Sequence, residues 1–341
     1  MSDQSDDGGV FGDPALQRSP HSGPGNPGRL SSARNFAPGI GDHIHESSLG
    51  GYYIDFRIKT ETPDWPPPWM RHDQPQIHVA VAQWGLGCYE RFLDGEGESW
   101  LHAASLAAEY LVNDQVGGGP LDGAWLQHDA MPHTYRIDPG WASAMGQGEG
   151  ASLLVRVHHE LAEDRYAEAA LRALRLLSVP VSEGGLRAPL GDGFFLEEYP
   201  TKTPSLVLNG GIFALWGCHD VAIALDDEEA RTTFDVGVAT LAANLKRWDL
   251  GNWSRYDLYP FPVVNISSSA YHLLHTTQLR AMALVAPNPE FTQVADRFES
   301  YTLSRFNRTL AFARKVAFRV VIPRNHLLAQ RVPWGPRGTV H

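Results

Sequence analysis

Tyr166-Ala167-Glu168-Ala169-Ala170-Leu171, entered through the polar link Ala162-Glu163-Asp164-Arg165, reads as the second helix of a hairpin whose first helix runs from Ala142 to Leu161. Small and apolar residues recur there at helical spacing, and so short a link returns the chain antiparallel beside itself. Phe291-Thr292-Gln293-Val294-Ala295-Asp296 has the same look further on. Working outward, Gln76 onward pairs with Ser99 to Asn113 across the turn Gly95-Glu96-Gly97. Ser205 to Leu225 pairs with Glu228 to Leu245, and Ala270 to Val285 pairs with Pro289 to Phe306 or beyond. Four hairpins at a period of roughly 60 residues are not a regular solenoid and fit helices that close on themselves. The expectation is an all-α fold, a barrel or toroid of about four helical hairpins, with minor short strands in the loops.

The flanks read differently. Residues 1–46 are rich in Gly, Pro, Ser and Asp without periodicity and are expected to form a disordered arm. Gly51 to Arg57 suits a short strand or extended anchor, and a Pro-rich loop with Trp65 and Trp69 follows. The division expected is an arm over 1–46, a helical catalytic domain over 47–313 and a basic tail over 314–341. The net charge of −11 is unevenly spread, because the residues from Tyr301 onward hold eight Lys or Arg and no acid. What precedes them is therefore about −19 by subtraction, which argues against nucleic acid as a partner. Arg305 to Val321 alternates bases with apolar residues, which suits a membrane surface, an acidic partner or a last helix packed on the acidic body. No secretory signal is visible at the start and no apolar run approaches the roughly 18 residues that span a bilayer. A cytoplasmic, optionally membrane-associated location is the expectation. Both cysteines, Cys88 and Cys218, fall in apolar helical patterns and are expected as buried thiols.

The connections between hairpins are long and rich in aromatics, Gly and Pro, and in a helical toroid they emerge at one end to line a common cleft. The most telling is Phe194-Phe195-Leu196-Glu197-Glu198-Tyr199-Pro200, which runs through Thr203-Pro204-Ser205 into an apolar helix. A residue before proline is extended, so Glu198 and Tyr199 are expected to point to different sides, and Pro204-Ser205 to start the helix. Arg255-Tyr256-Asp257-Leu258-Tyr259 is expected beside it. No metal or phosphate motif survives. His158 and His159 are adjacent, and His272 and His275 lack a third ligand, so hydrogen bonding is expected of the latter pair. Two facing carboxylates, Glu197 and Glu198, suit glycoside hydrolysis. A tyrosine whose pKa neighbouring cations depress suits removal of a carbon-bound proton beside a carboxylate, such as C5–H of a uronic acid.

Four segments then resemble, in order, the catalytic helical domain of the D-glucuronyl C5-epimerase family. They are Gln83-Trp84-Gly85-Leu86-Gly87-Cys88-Tyr89; Pro139-Gly140-Trp141 through Gln147-Gly148; Glu197-Glu198-Tyr199-Pro200 with Val207-Leu208-Asn209-Gly210; and Tyr256-Asp257-Leu258 followed by Tyr271-His272 and His275. The resemblance covers about Gln76 to Val285. It implies an (α/α) barrel and an isomerase that converts glucuronate to iduronate in heparosan-type chains. It also implies that Glu198, Tyr199, Tyr256 and Tyr271 match the family's catalytic Glu and three tyrosines. The family's β-rich region is absent, and Tyr259 stands where family members carry an Arg.

On this reading Arg255 and Arg136 neutralise an anionic glucuronate-containing polysaccharide. Trp141, Gln147, Asn209, Tyr259, His275 and Trp84 line its path, with no metal and no organic cofactor. Alternatives are a uronic-acid polysaccharide lyase, an inverting hydrolase, or a non-catalytic polymer-binding module of an exopolysaccharide system. Monomer and homodimer are both open.

Overall fold

A computed structural model of the chain describes residues 39–70, 77–128, 134–135 and 137–323. Nine α-helices carry these described residues: α1 (His78–Leu93), α2 (Glu98–Asp114), α3 (Ala144–Leu161), α4 (Asp164–Ser178), α5 (Leu208–Leu225), α6 (Glu228–Asn244), α7 (Ser269–Val285), α8 (Pro289–Leu303) and α9 (Arg305–Val321). The fold is all-α with minor strands. β1 (Leu126–Gln127) pairs antiparallel with β2 (Trp141–Ala142), and β3 (Arg187–Leu190) with β4 (Gly193–Leu196).

The first eight helices form the four expected hairpins, α1 with α2, α3 with α4, α5 with α6 and α7 with α8. One helix of each hairpin packs on its counterpart in the next, so α1, α3, α5 and α7 follow one another through the core. The closest approach is between α3 and α5, where a Cβ on Gly217 would lie 2.4 Å from the Cα of Gly148. Backbone meets backbone there, and alanine at either site would drive the helices apart.

α5 is apolar on every side because neighbours cover every side. It is the one helix among the described residues long and apolar enough to cross a membrane, which corrects the expectation that no run approaches that length. Its burial inside the fold, 83% of its length, identifies a core helix. Its start also differs. The helix begins at Leu208, not at Pro204-Ser205, because the Glu197 carboxylate takes the N–H of Ser205 and of Leu206, and Leu206 adopts φ 50°. A left-handed residue cannot belong to the first turn of a right-handed helix.

Residues 39–46, expected in the arm, are anchored: Ile40 bridges Ile54, and the Gly41 N–H donates to the Tyr53 carbonyl. Behind them Tyr52, Tyr53, Ile54 and Phe56 are buried. Tyr53 stacks on Trp216 of α5 at 4.5 Å, and Arg156 of α3 donates to the carbonyls of Gly50 and Gly51 while pairing with Asp220 at 2.6 Å. The remainder of the arm, 1–38, lies outside the described residues. At the other end Ser304 closes α8 and caps α9 by accepting from the Asn307 N–H. α9 runs unbroken through the 313/314 boundary. It is packed on the body through Ala311 and Phe318, and Lys315 donates to the Ile266 carbonyl at 2.7 Å.

Candidate active site

The loops between hairpins do meet. Leu208 N–H donates to the Tyr256 carbonyl, Leu258 N–H to the Ser205 carbonyl, and Ala144 N–H to the Glu197 carbonyl. These three bonds knit together the segments before α3, before α5 and before α7. A small aromatic core forms between them, made of Tyr135, Ile137, Trp141, Tyr199, Val207 and Tyr256, with Tyr259 and Phe261 against it. The Tyr199 ring lies 4.9 Å from Tyr135 and 5.7 Å from Trp141, and Tyr256 meets Tyr271 edge-on at 5.0 Å.

Glu198 and Tyr199 are not on different sides: Tyr199 donates to the Glu198 carboxylate, and Tyr256 donates to Tyr199. The tight turn before α5 brings both side chains inward, overriding the alternation an extended pair would show. Burial pushes the Glu198 carboxyl up to about 7, the Tyr199 bond opposing this and the charges of Glu197 and Asp257 adding to it. Its second oxygen, Oε2, has no protein partner among the described residues and lies against the first turn of α5. A Cβ on Gly210 would sit 2.3 Å from that oxygen, so glycine is what lets the carboxyl reach its place.

Glu197 has a different task. Its carboxylate accepts from the N–H and Oγ of Ser205 and from the N–H of Leu206, so it fixes the loop and cannot be the second acid of a hydrolase pair. Burial holds it at about 7 against those donors. Asp257 accepts from Tyr135 and from Asn265, burial raising it to about 6 while the hydrogen bonds and the charges of Arg255 and Lys315 pull the other way. Lys315 of α9 closes this network by donating to Asn265 Oδ1 at 2.9 Å, and its ammonium lies 5.5 Å from the Tyr256 ring centre.

The tyrosines correct one expectation. Burial, followed by the negative charge of Glu198, raises Tyr199 and Tyr256 well above the ordinary phenol value instead of depressing them. Both are thus protonated hydrogen-bond donors. Tyr271, at the start of α7, is 36% exposed where Glu198 is 7% exposed, so the cluster has an open side and a closed one.

The other expected site residues divide by what they touch. Trp141 and Asn209 are walls, each presenting a buried polar atom (Nε1 and Oδ1) without a protein partner among the described residues; Tyr259 is packed beside them on Tyr135. Arg255 is half-buried, its Nε donating to the Asp257 carbonyl at 3.0 Å. His275 is fully buried, its Nδ1 within 3.0 Å of Ser254 Oγ, and burial lowers its pKa so that it is neutral; Nε2 has no such partner. Gln147 and Trp84 are corrections. Gln147 is fully buried, accepts from the Trp125 N–H and donates both amide hydrogens to the carbonyls of Gly123 and Ala173, which keeps it from a ligand in the cleft. Trp84, 1% exposed, packs on Trp65 at 5.5 Å in the main core. Arg136 lies outside the described residues.

One feature had no sequence signal. Lys59 donates to Gln83, which donates to Glu149 at 2.8 Å, a buried line across the anchor, α1 and α3. Burial pushes Glu149 up to about 8, with Gln83 and Lys59 opposing and Glu198 adding to it; burial brings Lys59 down to about 8. The three residues are separated by 24 and 66 positions, so no local motif joins them. Among the described residues no group of three His, Cys, Asp or Glu is arranged to hold a metal. His272 and His275 share Ser254 as a hydrogen-bond partner.

A family model described as D-glucuronyl C5-epimerase C-terminus matches residues 121–300. The chain is 29% identical over 226 residues to the D-glucuronyl C5-epimerase of Caenorhabditis elegans, covering 61% of this chain and 36% of that protein. It is 28% identical over 173 residues to an uncharacterized protein of Methanocaldococcus jannaschii, covering 48% of this chain and 56% of that one. The chain thus spans less than two thirds of either relative. The matched region contains Trp141, Glu198, Tyr199, Asn209, Tyr256 and Tyr271, and it stops before α9.

Proposed function

The chain belongs to the D-glucuronyl C5-epimerase family, through that family's C-terminal region, and from this premise we propose that it is an isomerase inverting C5 of D-glucuronate residues in a polysaccharide. The C5–H bond breaks on one face of the sugar, its electron pair passing into the C5–C6 bond to give an enolate of the carboxylate. A proton is then delivered to the opposite face, leaving L-iduronate. Tyr271 serves one face and Glu198 the other, in base and acid roles that exchange with the direction of reaction. Substrate binding would turn the protonated hydroxyls of Tyr199 and Tyr256, which in its absence donate to Glu198 and to Tyr199, toward the charge that accumulates on the carboxylate oxygens. Arg255, from the same loop, opposes the substrate's negative charge.

The observation that carries this reading is the Glu198 carboxyl. Held near 7 and reached through Tyr199 and Tyr256, it gives up and takes back a proton at neutral pH with little driving force either way. Proton abstraction beside a carboxylate needs no redox group, and the residues named supply the acid, the base and the donors.

The test is incubation of heparosan and other glucuronate polymers with the protein in heavy water, read by NMR at C5. Deuterium entering C5 without unsaturated ends is expected. Unsaturated ends would assign a lyase, new reducing ends a hydrolase, and binding without exchange a non-catalytic module; absence of exchange in every polymer overturns the proposal.

A further inference from the structure

α9 has two unlike faces. Ala311, Lys315, Phe318 and Ile322 turn inward, and through Lys315 and Phe318 the helix braces the loop that carries Tyr256, Asp257 and Phe261. The opposite face is apolar and open: Phe306 is 73% exposed, Phe312 72% and Val320 77%, with Val316 between the last two. At 100° per residue these side chains, with Leu310, fall on one continuous side of the helix. Arg308 borders it along one edge and Arg314 along the other, Arg305 stands at its N-terminal end, and no acid occurs from Tyr301 to the end of the chain. Aromatic and branched residues facing out of the fold, rimmed by arginines on both edges, are the pattern of a helix lying in a bilayer interface.

We propose that the outer face of α9 docks this protein on an anionic lipid surface, with Phe306, Phe312, Val316 and Val320 at the headgroup–acyl boundary and the flanking arginines against lipid phosphates. Charge complementarity selects this occupant. A second copy pairing α9 with α9 across a two-fold axis sets arginine against arginine. Setting α9 on the acidic body of another copy either propagates or, made reciprocally across a two-fold axis, closes as a dimer, which light scattering detects. A bilayer bearing negative lipid meets both the apolar face and its basic rim, and each arginine adds to the attraction. With 17 residues, α9 is about 25 Å long and lies along the surface. Docking would hold the loop of Tyr256 and Asp257 just above the lipid, because the same helix braces that loop.

The experiment is co-sedimentation of the full chain with vesicles of phosphatidylcholine alone and of phosphatidylcholine with phosphatidylglycerol, with light scattering on the protein alone. The parent is expected to bind the anionic vesicles and not the neutral ones, with salt weakening the binding. The variant Phe306→Ser, Phe312→Ser, Val320→Ser changes only exposed positions, and its partition is expected to fall at least about tenfold. No binding to anionic vesicles overturns the proposal. So does binding that the variant leaves intact, which would place the contact in residues 324–341. A dimer that the variant dissociates, without vesicle binding, assigns the face to a second copy and likewise overturns it. None of these readings depends on the reaction catalysed.

Discussion

Glu198 binds its proton far more tightly in the folded chain than in the unfolded one. Its carboxyl moves from the ordinary 4.5 up to about 7 on folding, so the protonated form is the one that folding favours. The associated stability is fully present below pH 4.5 and is lost as pH rises through 7, a difference of about 3 kcal/mol at the upper end. Glu198→Gln cannot ionise. Its melting temperature is therefore expected to gain on the parent's from pH 5 to pH 8, while C5 exchange disappears; parallel melting curves across that range would refute the assignment. Gly210 offers a second test at the same atom. Gly210→Ala places a methyl 2.3 Å from Glu198 Oε2 and 2.5 Å from its Cβ. The carboxyl has to move, and C5 exchange is expected to fall about a hundredfold, since displacements near 1 Å cost that much. Thermal stability should drop by only about 1–3 kcal/mol, the range for local overpacking.

At the scale of elements, the start of α5 depends on Glu197, eleven positions before its first residue, rather than on helix propensity. Glu197 collects the Ser205 and Leu206 donors and holds Leu206 left-handed, so the helix cannot begin until Leu208. Glu197→Ala leaves those buried donors without an acceptor, and unfolding by urea is expected to show a loss of about 2–4 kcal/mol. A loss under 1 kcal/mol would mean the turn holds itself. This is also where the sequence was least legible. Helices α1 to α4 and α6 to α8 were readable because apolar periodicity survives over 15 to 18 residues, α5 because it is apolar throughout, and their caps, such as Asn288 before Pro289, are local chemistry. The meeting of the loops followed from hairpin topology. The left-handed Leu206, the inward turn of both Glu198 and Tyr199, and the line from Lys59 through Gln83 to Glu149 depend on tertiary contacts that no local spacing encodes. Burial likewise decided the direction in which Tyr199 and Tyr256 shifted, and burial cannot be read from a phenol's sequence neighbours.

The whole molecule is held at its N-terminal side by one buried ion pair. Arg156 and Asp220 join α3 to α5, and the same guanidinium fastens Gly50 and Gly51 of the anchor. Arg156→Met would leave Asp220 buried without its partner, at a cost of about 3–5 kcal/mol. Limited proteolysis is expected to cut first within 39–60 in that variant, while α7 and α8 stay protected; simultaneous loss of all helices would show that the anchor and the body unfold together. Because Lys59 sits in this anchor and reaches Gln83, loosening it also unsettles the charge beside Glu149.

The difference in exposure between Tyr271 and Glu198 gives the proposed reaction an isotopic memory. Tyr271, open to water, trades its proton with solvent between turnovers, whereas Glu198 does so only through Tyr199 or a local opening. In heavy water, the first C5 atoms re-protonated on the Tyr271 face should carry deuterium at the solvent's level. Those re-protonated from the Glu198 face should lag, bearing light hydrogen that Glu198 took from a sugar in an earlier turnover of the opposite direction. Mass spectrometry of products over the first few turnovers, sorted by epimer, would then tell which residue serves which face.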